Sequence, residues 1–354
     1  MLLVAATASA QEPNEEYRHW AVVPVPIIAY SPDTGGMFGL AAMFFYGPDV
    51  GIPEDARRGL RNNVASVNGI WTTSGSYVAA VSATNYLAAQ RYRWDNSFGA
   101  VYAPGVYFGI GPNADSEETY TEMQLGGETR FSFLVAPDVY LGPLFQWESV
   151  SVNDTESDGE LAAGLLTGSH GDMFLSGSGL GLIRDTTGGV FWPEDGSVAT
   201  ADVRGFSPLV GSSESFGLYR LQYARYLPVW SDHILALQGR LCGSWGEVPF
   251  QYRPSIGGDG VMRGLLKGRY RDTVSAIAQV EYRMPVSRSV AIVGFGSAGQ
   301  VGTSVAGLSP NGVKGAGGVG FRVALNKDQR LNLRIDVAIA PSGVSPYLNM
   351  GEAF

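Results

Sequence analysis

The sequence predicts an all-β fold, a single 16-stranded antiparallel transmembrane β-barrel. Apolar and polar residues alternate with a period of two along most of the chain, as expected for a wall between lipid and a lumen. Tyrosine and tryptophan recur near the ends of these segments, which is typical of membrane interfaces. Charged residues make up only 16 % of the chain, below the roughly 25 % usual in soluble domains. No apolar stretch approaches the roughly 20 residues that a membrane-spanning helix needs.

The alternation is clear in the segment 235–245. Leu237 and Leu241 fall on one face, and Gln238 and Arg240 fall on the other. Successive strand side chains point to opposite faces, so the apolar face is expected to meet lipid and the polar face to line the lumen. A packed soluble β-protein also alternates, but the recurrence of the pattern along the chain favours the membrane barrel. The predicted strands are 23–31, 36–46, 62–73, 76–88, 91–101, 117–134, 138–151, 173–184, 198–209, 216–228, 233–247, 269–286, 288–298, 314–326, 329–340 and 345–354.

Segments rich in glycine, proline and aspartate separate the predicted strands. Residues 228–232 and 326–329 are expected to form short turns. Residues 47–61, 153–171 and 250–269 are expected to form long outer loops, because outer-membrane barrels have short turns on one side and longer loops on the other.

The first residues look like the end of a secretory signal peptide. Residues 1–10 are apolar and close on Ala8-Ser9-Ala10, and polar residues follow from Gln11. We therefore expect 1–10 to be a signal-peptide remnant, 11–22 a short periplasmic leader and 23–354 the barrel. Export through a signal peptide implies a location in the outer membrane of a Gram-negative cell.

Several classes of partner and site are disfavoured by composition. The net charge of −9 argues against nucleic acid, since phosphate binding needs clustered lysine and arginine. Cys242 is the single cysteine, so neither an intrachain disulfide nor a cysteine-based zinc site is expected. We expect no metal and no cofactor, and the acidic segment 154–160 is interpreted as solvated loop rather than a calcium site.

Two patterns that could indicate an enzyme are weak. Residues 315–320 match the glycine fingerprint of dinucleotide sites, but that fingerprint requires a strand followed by a helix, and here it runs into a predicted strand. Ser169, His170 and Asp172 bring together hydrolase-type residues, but adjacent loop residues do not form a triad by spacing alone. The chain is therefore not expected to be an enzyme.

The segment 257–264 resembles the loop motif of the BamA/TamA superfamily, which includes the bacterial surface antigen barrels. The residues that carry the resemblance are Gly257, Gly258, Val261, Met262, Arg263 and Gly264. The resemblance implies a long sixth outer loop that folds into the barrel and holds Arg263 in the lumen. Glu281 and Asp336 are the candidate lumen partners, because a guanidinium can bind carboxylates through charge-assisted hydrogen bonds. The alternative is an exposed arginine in a glycine-rich outer loop.

Other stretches are similar to the same family. Residues 107–112, and 179–185 followed by Phe191-Trp192-Pro193, resemble signatures of its barrels. The ending resembles the C-terminal assembly signal of the family, with apolar Leu348 and Met350 at alternate positions and terminal Phe354 in the closing strand.

The sequence departs from the family pattern at three points. The family usually carries periplasmic POTRA domains before the barrel, and no such domain is expected in the short leader of this chain. Ser297 stands where the family often has an aspartate two residues after a phenylalanine. Leu265 replaces the aromatic residue that follows the loop motif.

The resemblance implies a barrel that aids insertion or passage of proteins or lipids at the outer membrane. The first and last strands would form a short seam near Ile27 and Leu348 that can open laterally. The expected partners are outer-membrane lipids, the barrel assembly machinery for the protein's own insertion, and unfolded outer-membrane clients or a separate POTRA-containing protein. The alternative is a passive or gated pore, or a structural barrel without insertase activity.

Overall fold

The computed structural model describes residues 20–47, 60–154, 158–169, 171–188, 191–326 and 330–354. Sixteen strands follow one another around a closed barrel, each antiparallel to its neighbours, and the last pairs with the first. The predicted fold class is therefore confirmed. The strands are β1 (Trp20–Ser31), β2 (Gly35–Tyr46), β3 (Asn63–Thr72), β4 (Tyr77–Leu87), β5 (Tyr92–Tyr107), β6 (Glu118–Ala136), β7 (Val139–Asp154), β8 (Gly171–Asp185), β9 (Ser197–Phe206), β10 (Phe216–Trp230), β11 (His233–Gly246), β12 (Val274–Ser287), β13 (Val290–Gly302), β14 (Lys314–Asn326), β15 (Leu331–Ala340) and β16 (Gly343–Met350).

The two faces of the wall follow the alternation in the sequence. Leu237 and Ile335 are exposed on the outer face, whereas Gln238 and Arg334 are buried on the inner face. An outer surface of apolar side chains is stable only against hydrocarbon, which fits a barrel that spans a bilayer. Within the described ranges, no helix has the length and apolar character needed to cross a membrane.

The connections alternate between the two ends of the barrel. We call the end that holds Trp20 and Met350 the terminal end, and the opposite end the loop end. The predicted loops 153–171 and 250–269 join β7 to β8 and β11 to β12 at the loop end. The prediction of an outer loop at 47–61 is wrong, because β2 and β3 are joined at the terminal end. Composition predicts a connection, but only the number of preceding strands decides the end at which it lies.

The remaining predicted boundaries shift by a few residues. β1 begins at Trp20, three residues before the predicted start of the barrel. The turn predicted at 228–232 is tighter, since Trp230 pairs with His233. Residues 1–19, including the predicted signal-peptide remnant, and 327–329 of the other predicted turn lie outside the described residues.

The barrel closes through a short seam between β1 and β16. Tyr30 and Leu348 form the one registered residue pair between these strands, both of which are fully described. β1 by contrast pairs with β2 along its whole length, from Trp20 with Tyr46 to Ser31 with Gly35. The seam is therefore the least paired join in the wall.

A cluster of buried apolar side chains lies at each end of the lumen. The loop-end cluster comes from β5 to β10 and from two loops, and its buried members are Tyr107, Tyr120, Val150, Val152, Leu161, Met173, Leu175, Phe206, Phe216, Val248 and Phe250. The terminal-end cluster is smaller, and its buried members are Trp192, Ala224, Tyr226, Ile234, Ala236 and Ala291.

Candidate functional site

The sixth loop, residues 247–273, joins β11 to β12 and folds into the lumen. Four side chains of this loop are at most 1 % exposed, namely those of Phe250, Ile256, Met262 and Leu265. Two short strands, Ser255–Ile256 and Tyr270–Arg271, pair with each other and bring the two arms of the loop together. The loop thus lies inside the barrel.

Glycines of the predicted loop motif allow its sharp turns. Gly257, Gly258 and Gly264 all have φ between 110° and 122°, a region that L-residues with side chains rarely adopt. A Cβ on Gly257 would also collide with the carbonyl oxygen of Leu266. Glycine is therefore required at these points for the loop to reverse inside the lumen.

The apolar residues of the motif seat the loop against the wall. Met262 and Leu265 pack with Ile277 of β12 and Val301 of β13, and Val261 lies at the edge of this group. The backbone N–H of Met262 donates to Oε1 of Gln279 at 3.0 Å. Leu265, where related loops carry an aromatic residue, fills this apolar contact with an aliphatic side chain.

Arg263 lies between carboxylates from two different strands. Its Nη2 donates to Oε2 of Glu281 in β12 at 2.6 Å, and its Nη1 donates to Asp336 in β15. The guanidinium also lies 3.6 Å from the ring centroid of Phe295 in β13. Arg263 is 2 % exposed and both carboxylates are fully buried. Both candidate partners thus bind the same guanidinium, and neither depends on the aspartate that Ser297 replaces.

Three further arginines, which sequence reasoning missed, surround the same carboxylates. Arg283 donates to Glu281 at 2.8 Å, Arg322 donates to Asp336 at 2.7 Å, and Arg334 lies 3.6 Å from Asp336. Arg283 and Arg334 each lie two residues from one of the carboxylates on the same lumen-facing side of a strand, which is a signal that the sequence carries. We call the set Arg263, Arg283, Arg322, Arg334, Glu281 and Asp336 the anchor network. Buried charges of this kind are tolerated only when each has partners.

The loop also binds the last strand from inside. The N–H of Gly264 donates to the hydroxyl of Tyr347 at 2.8 Å, and Ser342 donates to the carbonyl of Gly264 at 3.1 Å. Asn349 donates to the carboxylate of Asp259 in the loop at 2.5 Å. The sixth loop therefore holds β16 on its lumen side, close to the seam.

The residues of the predicted C-terminal assembly signal are not all in the closing strand. Leu348 pairs with Tyr30 at the seam, and Met350 ends β16. Phe354 lies beyond the strand and packs against the terminal-end cluster, so its predicted place in the closing strand is wrong. Gly351, with φ of 77°, turns the backbone away from the wall.

The other sequence candidates are not assembled into a site in the described part of the chain. Ser169 is buried and Asp172 is exposed at the start of β8, while His170 lies outside the described residues. The glycine-rich segment 315–320 is part of β14. Among the described residues, no group of histidine, cysteine and acidic side chains is placed to hold a metal ion.

Comparisons with known proteins match the chain to one family and one fold. The Omp85 superfamily domain matches residues 61–345. BamA from Haemophilus ducreyi lacking POTRA domains 1–3 is 14 % identical with a TM-score of 0.65, over 95 % of this chain and 71 % of that one. CdiB from Acinetobacter baumannii is 13 % identical with a TM-score of 0.59, over 94 % of this chain and 60 % of that one. CdiB from Escherichia coli is 9 % identical with a TM-score of 0.61, over 95 % of this chain and 63 % of that one.

This chain therefore spans less than two thirds of either CdiB chain. At such low identity the solved structures show likeness of fold. No curated protein sequence matches the chain.

Proposed function

Because this chain belongs to the Omp85 superfamily, we propose that its barrel aids the insertion or passage of proteins or lipids at the outer membrane of a Gram-negative cell. The observation that carries the proposal is the seam, where a single residue pair joins β1 to β16. In hydrocarbon an unpaired strand edge must find another partner, since each unsatisfied backbone group costs several kcal/mol. An opened seam would thus offer its edges to an incoming strand or disturb the lipid beside it.

The polarity of β1 supports opening into lipid. Its outer face carries exposed Val22 and Ile28. Its lumen face is also apolar, since Val23 and Val25 pack in a small lumen cluster and Ile27 lies on the same side. A strand that is apolar on both faces can meet hydrocarbon on both faces with little penalty.

The last strand differs from β1 in this respect. Its lumen face carries Tyr347 and Asn349, and both bind the sixth loop through hydrogen bonds. Moving β16 into lipid would break these polar contacts, whereas moving β1 breaks its short pairing with β16 and the apolar contacts of Val23 and Val25, which hydrocarbon can replace. We therefore propose that the seam opens by displacement of β1.

The partners follow from this mechanism. Outer-membrane lipids would contact the opened seam, and unfolded outer-membrane proteins would be its clients. A separate POTRA-containing protein could deliver such clients, and the barrel assembly machinery would insert this chain itself.

A pore is the second candidate function, and the lumen wall of β6 to β10 favours it. Arg204 donates to Glu128 at 2.7 Å, and Arg130 lies 3.4 Å from Asp202. Such a charged wall suits a water-filled channel. The loop-end cluster and the sixth loop oppose it, because both place buried side chains inside the barrel. Bilayer conductance separates the two, since a barrel sealed by its loop passes little current.

The test of the proposed function is folding of an unfolded outer-membrane barrel protein added to liposomes, with and without this protein. The seam is locked by Tyr30→Cys with Leu348→Cys, in a Cys242→Ser background so that no other cysteine is present. The matched control places cysteines at Val81 and Phe98, a registered pair within the extensively paired β4 and β5.

We expect the unlocked protein to accelerate folding of the added barrel, the oxidised seam variant to lose that acceleration, and reductant to restore it. The oxidised control should behave like the unlocked protein. Full acceleration by the locked seam would reject lateral opening. No acceleration by any form would favour the pore or a structural barrel.

A further inference from the structure

The four residues that follow β16 fold into the lumen rather than along the wall. We call residues 351–354 the tail segment. The N–H of Gly351 donates to the carbonyl of Asn332 at 2.8 Å, and the positive φ of Gly351 directs the next residues inward. The tail segment therefore has defined contacts of its own.

The carboxylate of Glu352 is held by side chains from two other strands. Nε of Arg322 donates to its Oε2 at 2.6 Å, and Nδ2 of Asn332 donates to its Oε1 at 3.0 Å. The carboxylate side chain is 3 % exposed, and that of Arg322 is 1 % exposed. Both carboxylate oxygens are thus satisfied away from solvent.

Phe354 occupies a second part of the same binding site. We call this site the seat; its residues are Arg283, Arg322, Asn332, Trp192 and Tyr226. Its ring packs against the terminal-end cluster, in which Trp192 and Tyr226 are the large members. Nη2 of Arg283 donates to the main-chain oxygen of Phe354 at 2.8 Å. The guanidinium of Arg283 in turn lies 5.1 Å from the Trp192 ring and 5.6 Å from the Tyr226 ring.

The seat is built by elements that are distant from the tail segment in sequence. Arg283 comes from β12, Arg322 from β14 and Asn332 from β15, while Trp192 comes from the connection between β8 and β9. Nε1 of Trp192 is buried and has no hydrogen-bond partner among the described residues. The seat therefore also contains an indole N–H donor that the tail segment does not use.

The charge of the seat favours an anionic occupant. The four arginines of the anchor network have three carboxylates near them besides Glu352, namely Glu281, Asp336 and Asp259. Glu352 supplies the fourth negative charge. An empty seat would leave Arg322 with Asp336 and Glu281 but without the carboxylate that its Nε binds, so an anionic occupant is favoured there. Exchange of one carboxylate for another is therefore favoured over simple release of the tail segment.

We propose that the terminal end of the lumen is a binding site for a peptide segment that carries a carboxylate and an aromatic ring two residues apart. The tail segment fills the site from within the same chain. An incoming segment of the same chemistry displaces it, with its carboxylate at Arg322 and its ring at Trp192. This site is separate from the seam and does not depend on the proposed transport role.

The test uses a fluorescent peptide with the sequence of residues 348–354 and the full chain in detergent. In one protein the tail is weakened by Glu352→Gln with Phe354→Ala. The control peptide carries the same two changes. We expect the weakened-tail protein to bind the unaltered peptide at least ten-fold more tightly than the unchanged chain does, and to bind the control peptide weakly.

The seat itself is tested by adding Trp192→Ala to the weakened-tail protein. This change should reduce peptide binding, whereas Trp230→Ala, which alters an exposed tryptophan at the end of β10, should not. If the double tail variant does not fold by circular dichroism, the isosteric Glu352→Gln variant alone takes its place. Equal binding of the two peptides, or no binding of either by folded weakened-tail protein, would overturn the proposal.

Discussion

At the scale of the residue, Arg263 connects the sixth loop to the wall through a shared pair of carboxylates. Glu281 and Asp336 keep other cationic partners, Arg283 and Arg322, when Arg263 is removed. Loss of Arg263 therefore leaves no isolated buried charge in the wall. The loop is expected to lose its anchor while the barrel stays folded.

Arg263→Ala should therefore raise the rate at which protease cuts the sixth loop. Hydrogen bonds to charged groups contribute about 1.5–3 kcal/mol each, and about 1.4 kcal/mol is a factor of ten, so an increase of at least ten-fold is expected. Cleavage is followed by mass spectrometry. Arg253→Ala, a change of the same kind in the same loop, is the control because its side chain forms no ion pair with the described residues. Equal cleavage of both variants would reject the internal anchor.

Asp33 shows a second residue-scale effect at the loop end. It lies in the turn between β1 and β2, and its carboxylate accepts the N–H of Lys267 from the sixth loop at 2.6 Å. Burial raises the pKa of Asp33 above its ordinary value of 3.8. The folded protein therefore binds this proton more tightly than the unfolded chain, and the contribution of Asp33 to stability falls as pH rises above 3.8 through the raised pKa.

Asp33→Asn should accordingly raise the midpoint of thermal unfolding at pH 7, because the amide oxygen can still accept the N–H of Lys267 without a partly buried charge. The gain should shrink towards pH 4, where the native side chain becomes protonated in the folded state. Unfolding is measured by circular dichroism in detergent across this range. A gain that does not change with pH would contradict the assignment.

At the scale of the element, β1 is distinguished by its two apolar faces. The proposed displacement of β1 requires its lumen face to enter hydrocarbon, where a lysine at the midplane costs about 2–4 kcal/mol. In the closed barrel the same lysine faces the lumen and is tolerated. A single charge on this face should therefore separate opening from folding.

Ile27→Lys should leave the closed barrel folded but slow its acceleration of client folding by at least ten-fold in the liposome assay. Asn68→Lys places the same charge on the lumen face of β3, which is not expected to leave the wall, and serves as the matched control. Similar activity of the two variants would mean that β1 does not enter lipid.

The sequence predicts elements such as β11 well, because alternation is a local property of each strand. The sequence is less informative where the end of a strand depends on contacts with the rest of the barrel. Leu348, Met350, Glu352 and Phe354 share one side if β16 continues to the end of the chain, and that side faces lipid. Glu352 is unfavourable there, so the strand stops and the tail segment turns to Arg322. The charge of Glu352 was the signal that could have corrected the boundary.

The candidate site was predictable in part for the same reason. A motif and two lumen-facing carboxylates indicate Arg263, Glu281 and Asp336, and the structure brings all three together. Arg322 comes from a strand whose nearest charges in sequence give no hint of its partners. Its role depends on the closure of the barrel, which places β12, β14 and β15 side by side around the loop.

At the scale of the whole molecule, the sixth loop is held by apolar packing at the loop end as well as by the charges of the anchor network. Phe250 of the sixth loop lies at the centre of the loop-end cluster, with its ring centroid 5.4 Å from that of Tyr107 and 5.2 Å from that of Tyr120. This contact couples the loop to the half of the barrel opposite the anchor network. Removing the ring should loosen the seal while Arg263 remains bound.

Phe250→Ala should therefore raise single-channel conductance in planar bilayers and lower thermal stability. A buried phenylalanine replaced by alanine usually costs about 3–5 kcal/mol. Leu209→Ala, which truncates a side chain that is 94 % exposed at the same end, is the control. Conductance that stays at the level of the unchanged protein would show that the seal does not depend on this cluster.

The single pair at the seam has a consequence for the order of folding. Every other pair of neighbouring barrel strands is joined by one connection, so those pairings close short loops. Tyr30 and Leu348 lie in the first and last strands of the barrel, and their pairing closes a loop that contains every other strand, at the largest cost in chain entropy. Hairpins should form first and the ring should close last. Lateral opening would then retrace the final step of folding, from a closed ring back to a curved sheet with two free edges.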